Sequence, residues 1–198
     1  MNPTPPILAR LRHRAAAAWF GLARDLRLRW KNHLGTLLMV VGVFVAVQAW
    51  QTRDVPSGMA PDLRLTLLQP DGSSTNTTLD AWRKAHPGQP VGLYIWAEWC
   101  PICKTMEGSV TALSQDQPLL TIAMQSGPPG AVARVLQQRQ LPWQTAVDTR
   151  GDAARALGFR SVPSFVVVDA NGHLRGASVG YTSEAGMRLR LWWARLRG

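Results

Sequence analysis

Two cysteines with two residues between them, Cys100 and Cys103 in Trp99-Cys100-Pro101-Ile102-Cys103, are the residues best suited to chemistry, and they are the only cysteines in the chain. One pair cannot build the disulfide framework of a small secreted domain. A closed zinc site needs four ligands, and neither His86 nor His173 lies at ligand spacing from the pair. Covalent haem attachment needs histidine straight after the second cysteine, where Lys104 stands. With a structural pair or part of a metal site as the alternatives, the favoured reading is thiol–disulfide exchange. Its attacking species is a thiolate, and a free cysteine at neutral pH holds little of it. A helix starting at Cys100 or Pro101 would aim unpaired N–H groups and the positive dipole end at the first sulfur, favouring the thiolate. Cys103 would then lie one turn on. Cys100 is therefore expected to attack a partner disulfide and Cys103 to resolve the mixed disulfide. Pro101 stiffens the turn, Trp99 supplies an apolar rim, and Lys104 adds a positive charge that Glu98 opposes. Glu107, one turn past Cys103, reads as a solvated carboxylate or a proton acceptor.

The elements that position this pair follow from patterning. Residues 90–96 form a β-branched and aromatic run, expected as a central strand buried on both faces. Residues 119–124 and 164–168 read as two more buried strands. Asp169-Ala170-Asn171-Gly172 is a hairpin turn leading to a returning strand over 174–179. Residues 63–67 alternate as a half-buried strand, Pro70-Asp71-Gly72-Ser73 is a turn, and 144–147 is a short strand. Helices are expected over 79–85, 131–140, 152–157 and 183–196. Together these imply an α/β domain, a mixed central sheet flanked by helices, over residues 61–198.

Residues 34–50 are uncharged and apolar, bracketed by Trp30 and Trp50. Seventeen residues of helix span roughly 26 Å, the short end of what crosses a bilayer. A buried core helix is the alternative. The net charge of +10 is uneven: residues 1–33 carry seven basic residues against Asp25 alone. The basic side of a span stays in the cytoplasm. An uncleaved anchor is therefore expected, with residues 1–33 cytoplasmic, 34–50 transmembrane, 51–60 a linker, and the domain in the periplasm. A cleaved signal peptide would need an unusually long basic region. Residues 4–30 read as a basic amphipathic helix on the inner leaflet or as a solvated arm. The domain itself is only mildly basic, which argues against nucleic acid as a partner.

Trp96-Ala97-Glu98-Trp99-Cys100-Pro101-Ile102-Cys103 resembles the active-site signature of the thioredoxin superfamily, and Ser161-Val162-Pro163-Ser164-Phe165 resembles its cis-proline loop. The resemblance covers roughly residues 61–198. It implies a thioredoxin-like fold, a cis Pro163 against Cys100, and a Val162 backbone that pairs with an incoming peptide strand. The substrate-binding set is then Trp99, Pro101, Ile102, Val162 and Pro163, with no metal and no cofactor. Among branches, the chain is most similar to membrane-anchored thioredoxin-like proteins: the cytochrome c maturation thioredoxins and, preferred, the suppressor of copper sensitivity D group. That implies protein thiols and disulfides as partners, a membrane electron donor, and a role in copper tolerance. Where many cytoplasmic thioredoxins carry a buried aspartate six residues before the first cysteine, this chain has Tyr94. A reductant or isomerase is the preferred direction. A disulfide-forming oxidant, a Cu(I) carrier using both thiolates, and a non-catalytic scaffold are the alternatives.

Overall fold

The computed structural model describes residues 30–56 and 58–197. The expected amphipathic arm over residues 4–30 lies outside them, but for Trp30. The chain divides between Val47 and Gln48 into two compact units. Most of the first described element, α1 (Trp30–Gln51), belongs to the first unit. Its 22 residues give a helix of about 33 Å, longer than the apolar run alone, and its large apolar side chains, Leu37 and Phe44 among them, are exposed. It is long and apolar enough to cross a membrane.

The second unit is built on one seven-stranded sheet. In chain order its elements are β1 (Arg64–Leu68), β2 (Ser74–Thr78), α2 (Leu79–Lys84), β3 (Val91–Trp96), α3 (Pro101–Thr105), α4 (Glu107–Ser114), β4 (Leu119–Met124), α5 (Pro129–Gln138), β5 (Thr145–Asp148), α6 (Asp152–Ala156), β6 (Ser164–Val168), β7 (Leu174–Val179) and α7 (Glu184–Arg195). The strand order is β2-β1-β5-β4-β3-β6-β7. The three strands β3, β4 and β5 are parallel neighbours; the remaining pairings are antiparallel. Strands β3, β4 and β6 are buried along their whole length. This is what continuous apolar runs produce when helices cover both faces.

Alternation along the strands sorts side chains into two cores. Tyr94, Trp96, Phe165 and Val167 pack with α4, α5 and α7 on one face. Leu93, Ile95, Val166 and Val168 pack with Leu79, Trp82, Ala154 and Phe159 on the other. Gly92 is bare because a β-carbon there would lie 2.9 Å from Leu119 and 3.2 Å from the Phe165 ring.

Two features depart from the sequence reading. The polar segment after the Asp71-Gly72 turn forms β2, an edge strand paired along β1 from Arg64↔Thr78 to Leu68↔Ser74. The segment between α1 and β1 is held to the domain. Ala60 N–H donates to Gly172 O at 2.8 Å, Leu174 N–H donates to Gly58 O at 2.8 Å, and Met59 bridges His173. Asp54 and Val55 lie where a β-carbon on Gly158 would be, and Gly158 has φ +86.

Candidate redox site

The sheet brings two distant stretches to one edge. β3 and β6 run antiparallel with Ile95 opposite Ser164. The end of β3, which leads to Cys100, therefore lies beside the start of β6, which follows Pro163. The Val162–Pro163 peptide bond is cis. Pro163 is buried, and its carbonyl accepts from Gly180 N–H at 2.8 Å. Ser164 Oγ donates to Ser161 O at 2.7 Å and closes the same loop. Val162 is half-buried and packs against the core that contains both cysteines.

Cys100 is the N-cap of α3, with extended backbone (φ −87, ψ 111), and Pro101 occupies the first turn. Proline suits this position because its missing N–H would have had no helical partner. The Cys103 N–H donates to Cys100 Sγ at 3.1 Å, and the two sulfurs form a disulfide. The first sulfur thus takes the place of a capping oxygen. On reduction, the same N–H and the helix dipole stabilise negative charge on it. Both cysteines are nearly buried, at 4% and 3% exposure, whereas Trp99 and Ile102 stand out at 56% and 50%. Pro101 is exposed beside them. Tyr181, which follows the glycine bonded to Pro163, is exposed as well. The pair therefore sits within an apolar rim.

Contacts that the sequence does not announce hold the loop before Cys100. Glu98 N–H donates to Ser126 Oγ at 3.0 Å, and the Trp99 indole N–H donates to Gln125 O at 3.1 Å. Gln125 adopts φ +50, in the left-handed region. Arg139, at the end of α5, donates to Glu98 O at 3.1 Å and to Glu107 Oε1 at 2.9 Å. Glu107 is therefore a half-buried ion-pair partner and not a solvated carboxylate. Met106 ends α3 and begins α4, and this break precedes Glu107.

Beneath the dithiol lies an aromatic cluster. Trp143 meets Tyr94 and Trp96 edge-on, with centroids 6.1 Å and 5.5 Å away. Such pairs add about 0.5–1.5 kcal/mol beyond area burial. The Trp143 indole N–H donates to Thr111 Oγ1 at 3.0 Å. Burial pushes the Tyr94 phenol well above its ordinary range, and the Glu107 carboxylate adds to the effect. Tyr94 thus keeps its proton and cannot serve as the proton acceptor that an aspartate would supply. No group of three or more His, Cys, Asp or Glu side chains among the described residues could hold a metal.

A dithiol capping a helix opposite a cis-proline loop, on a mixed sheet covered on both faces, defines a thioredoxin-like protein. The chain belongs to the AhpC/TSA family, whose sequence pattern matches residues 56–177. It is 30% identical over 80 residues to a thiol:disulfide interchange protein DsbE homolog of Paracoccus denitrificans, covering 40% of this chain and 44% of that protein. Over 153 residues it is 27% identical to the thiol:disulfide interchange protein DsbE of Allochromatium vinosum, covering 72% of this chain and 83% of that one. The fold matches the crystal structure of a putative thiol:disulfide interchange protein DsbE from Chlorobium tepidum at TM-score 0.55 and 21% identity, covering 72% of this chain and 97% of the other.

Proposed function

We propose that this chain is a membrane-anchored protein thiol–disulfide oxidoreductase of the bacterial periplasm, acting as a reductant or isomerase. The observation that carries the reading is the Cys103 N–H bond to Cys100 Sγ at the start of α3, opposite the cis-Pro163 loop. In the reduced protein the Cys100 thiolate attacks one sulfur of a client disulfide. The client's other sulfur leaves as a thiolate and takes a proton from solvent. Cys103, deprotonated, then attacks Cys100 Sγ, and the second client sulfur leaves. The client gains two electrons and two protons, and Cys100–Cys103 becomes the disulfide. A membrane partner that supplies electrons returns the pair to the dithiol by the same steps in reverse.

Several features support the details. The apolar rim of Trp99, Pro101 and Ile102 favours protein clients over small charged thiols. The backbone of the half-buried Val162, in the proline loop, would pair with an extended client strand. α1 fits a single-pass anchor, and the basic residues before it favour an N-terminus in the cytoplasm. Reducing disulfides that copper drives to form would give the role in copper tolerance that the sequence resemblance implies.

The test has two arms. The full chain carrying Cys103→Ser should accumulate mixed disulfides with periplasmic proteins, released by dithiothreitol. A copper carrier so altered would lose its metal and trap nothing. The unaltered chain, equilibrated with glutathione buffers, should show a potential on the reducing side of the thioredoxin-like range. A value above about −150 mV would make it an oxidant and overturn the reductant reading.

A further inference from the structure

The last helix has two apolar faces, and only one is used. Met187, Leu191 and Ala194 are buried in the core with the aromatic cluster. At about 100° per residue, Leu189, Trp192, Trp193 and Leu196 fall on the opposite side. They are 60%, 51%, 47% and 65% exposed. Four large apolar side chains at i, i+3, i+4 and i+7 form a continuous stripe, which a monomeric soluble protein rarely leaves open.

The stripe is edged with arginine on both sides. Arg188 and Arg195 flank one edge, Arg190 and Arg197 the other. Arg188 is taken by Asp116 and Glu184, and Arg190 is half-buried with a bond to Gly186 O. Arg195 donates to Gln117 Oε1 at 2.6 Å in an exposed bond that leaves its charge unneutralised, and neither Arg195 nor Arg197 has an acidic side chain within ion-pair distance among the described residues. The Arg197 guanidinium lies 4.7 Å over the Trp193 ring. Tryptophan prefers the boundary between headgroups and acyl chains, and arginine attracts anionic headgroups.

We propose that the outer face of α7 is a docking surface for anionic phospholipid, on which the domain lies against the bilayer that anchors it. The proposal rests on the anchored reading above. Tethering supplies a high local concentration of bilayer, so a weak surface suffices. Charge selects the occupant. A second copy of the chain packed on this stripe would bring the arginines along its edges against each other, whereas an anionic leaflet pairs with them. The Trp192 and Trp193 rings reach the acyl boundary, and Arg195 and Arg197 meet phosphate.

The test uses the full chain in nanodiscs, with a benzophenone amino acid placed singly at Leu189, at Phe44 within α1, or at Ala81 on the opposite face of the sheet. With phosphatidylglycerol present, photolysis should attach phospholipid at Leu189 and Phe44 and little at Ala81. Replacing phosphatidylglycerol by phosphatidylcholine, or introducing Arg195→Gln with Arg197→Gln, should lower the Leu189 adduct about tenfold and leave Phe44 unchanged. A protein–protein adduct at Leu189 would overturn the proposal in favour of a second copy. A Leu189 yield no higher than that at Ala81, with the Phe44 adduct intact, would overturn it while the anchor stands. Loss of the Phe44 adduct would overturn the anchor, and a Leu189 lipid adduct in that case would still support the surface.

Discussion

Arg139→Gln tests the electrostatics of the dithiol more sharply than any change to the cysteines. The guanidinium bonds Glu107 Oε1 at 2.9 Å and Glu98 O at 3.1 Å. The two charged side chains are 22% and 23% exposed. A hydrogen bond to a charged group is worth about 1.5–3 kcal/mol, and a fully exposed ion pair about 0–1 kcal/mol. With about a fifth of each side chain wet, the pair should contribute about 1–2 kcal/mol, with the Glu98 bond adding roughly 1 kcal/mol more. Arg139→Gln should thus cost about 2 kcal/mol, lowering the melting temperature by about 4–8 °C. The assay is a double-mutant cycle of Arg139→Gln and Glu107→Gln in the oxidised full chain, by urea unfolding in mild detergent. The coupling should be about 1–2 kcal/mol and should persist in part at high salt, since partly buried pairs are screened less. The single variant should also slow disulfide exchange, because an uncompensated Glu107 carboxylate near Cys103 disfavours thiolate. Adding Glu107→Gln should restore the rate. Additivity within about 0.5 kcal/mol would refute the pairing, and a rate that Glu107→Gln leaves unrestored would refute its link to the thiolates.

Other positions give further expectations. Asp169 is buried at the β6–β7 turn and accepts from Asn171 N–H, His173 N–H and Arg175 Nε. Burial alone would raise its pKa, but these bonds outweigh it and hold the carboxyl below its ordinary value. Its contribution is therefore complete above the unfolded value near 3.9 and is lost as pH falls through the lower folded value. Asp169→Asn should cost about 2 kcal/mol at pH 7, and the gap in urea midpoint between wild type and variant should narrow below about pH 4. Gly158→Ala places a β-carbon against Asp54 and Val55 at φ +86. It should destabilise by about 2 kcal/mol or more and speed tryptic cleavage at Arg53. Tyr94→Phe should leave the pH profile of thiol exchange unmoved, because the buried phenol holds its proton throughout the working range; a shifted profile would give the hydroxyl a role in proton transfer.

Where burial writes the pattern, the sequence was readable. The apolar runs of β4 and β6 and the returning β7 coincide with the observed strands, and β3 begins one residue later than the run suggests. β2 was hidden because Ser74-Thr75-Asn76-Thr77-Thr78 has no core face; its pairing comes from the open edge of β1. α5 starts two residues earlier than read, at Pro129, with Pro128 as its N-cap. The signal was present, since proline favours the first helical turn, but the surrounding glycines suggested a loop. The cysteines and the proline loop were legible as local motifs. Arg139, 32 residues from Glu107, was not, because nothing in either segment marks a contact that only the sheet topology creates. The same holds for Ser126 and Gln125, which clamp the loop before Cys100.

The pairing of Ile95 with Ser164 also bears on biogenesis. The dithiol is synthesised about sixty residues before the proline loop that faces it. On the proposed periplasmic placement, the cysteines would enter an oxidising compartment during export without that cover. A chain with several thiols would risk scrambled bonds at this stage. Here the chain holds two, so the one intramolecular disulfide open to the nascent protein is the native one, and premature oxidation leaves the molecule in a state belonging to its own reaction cycle.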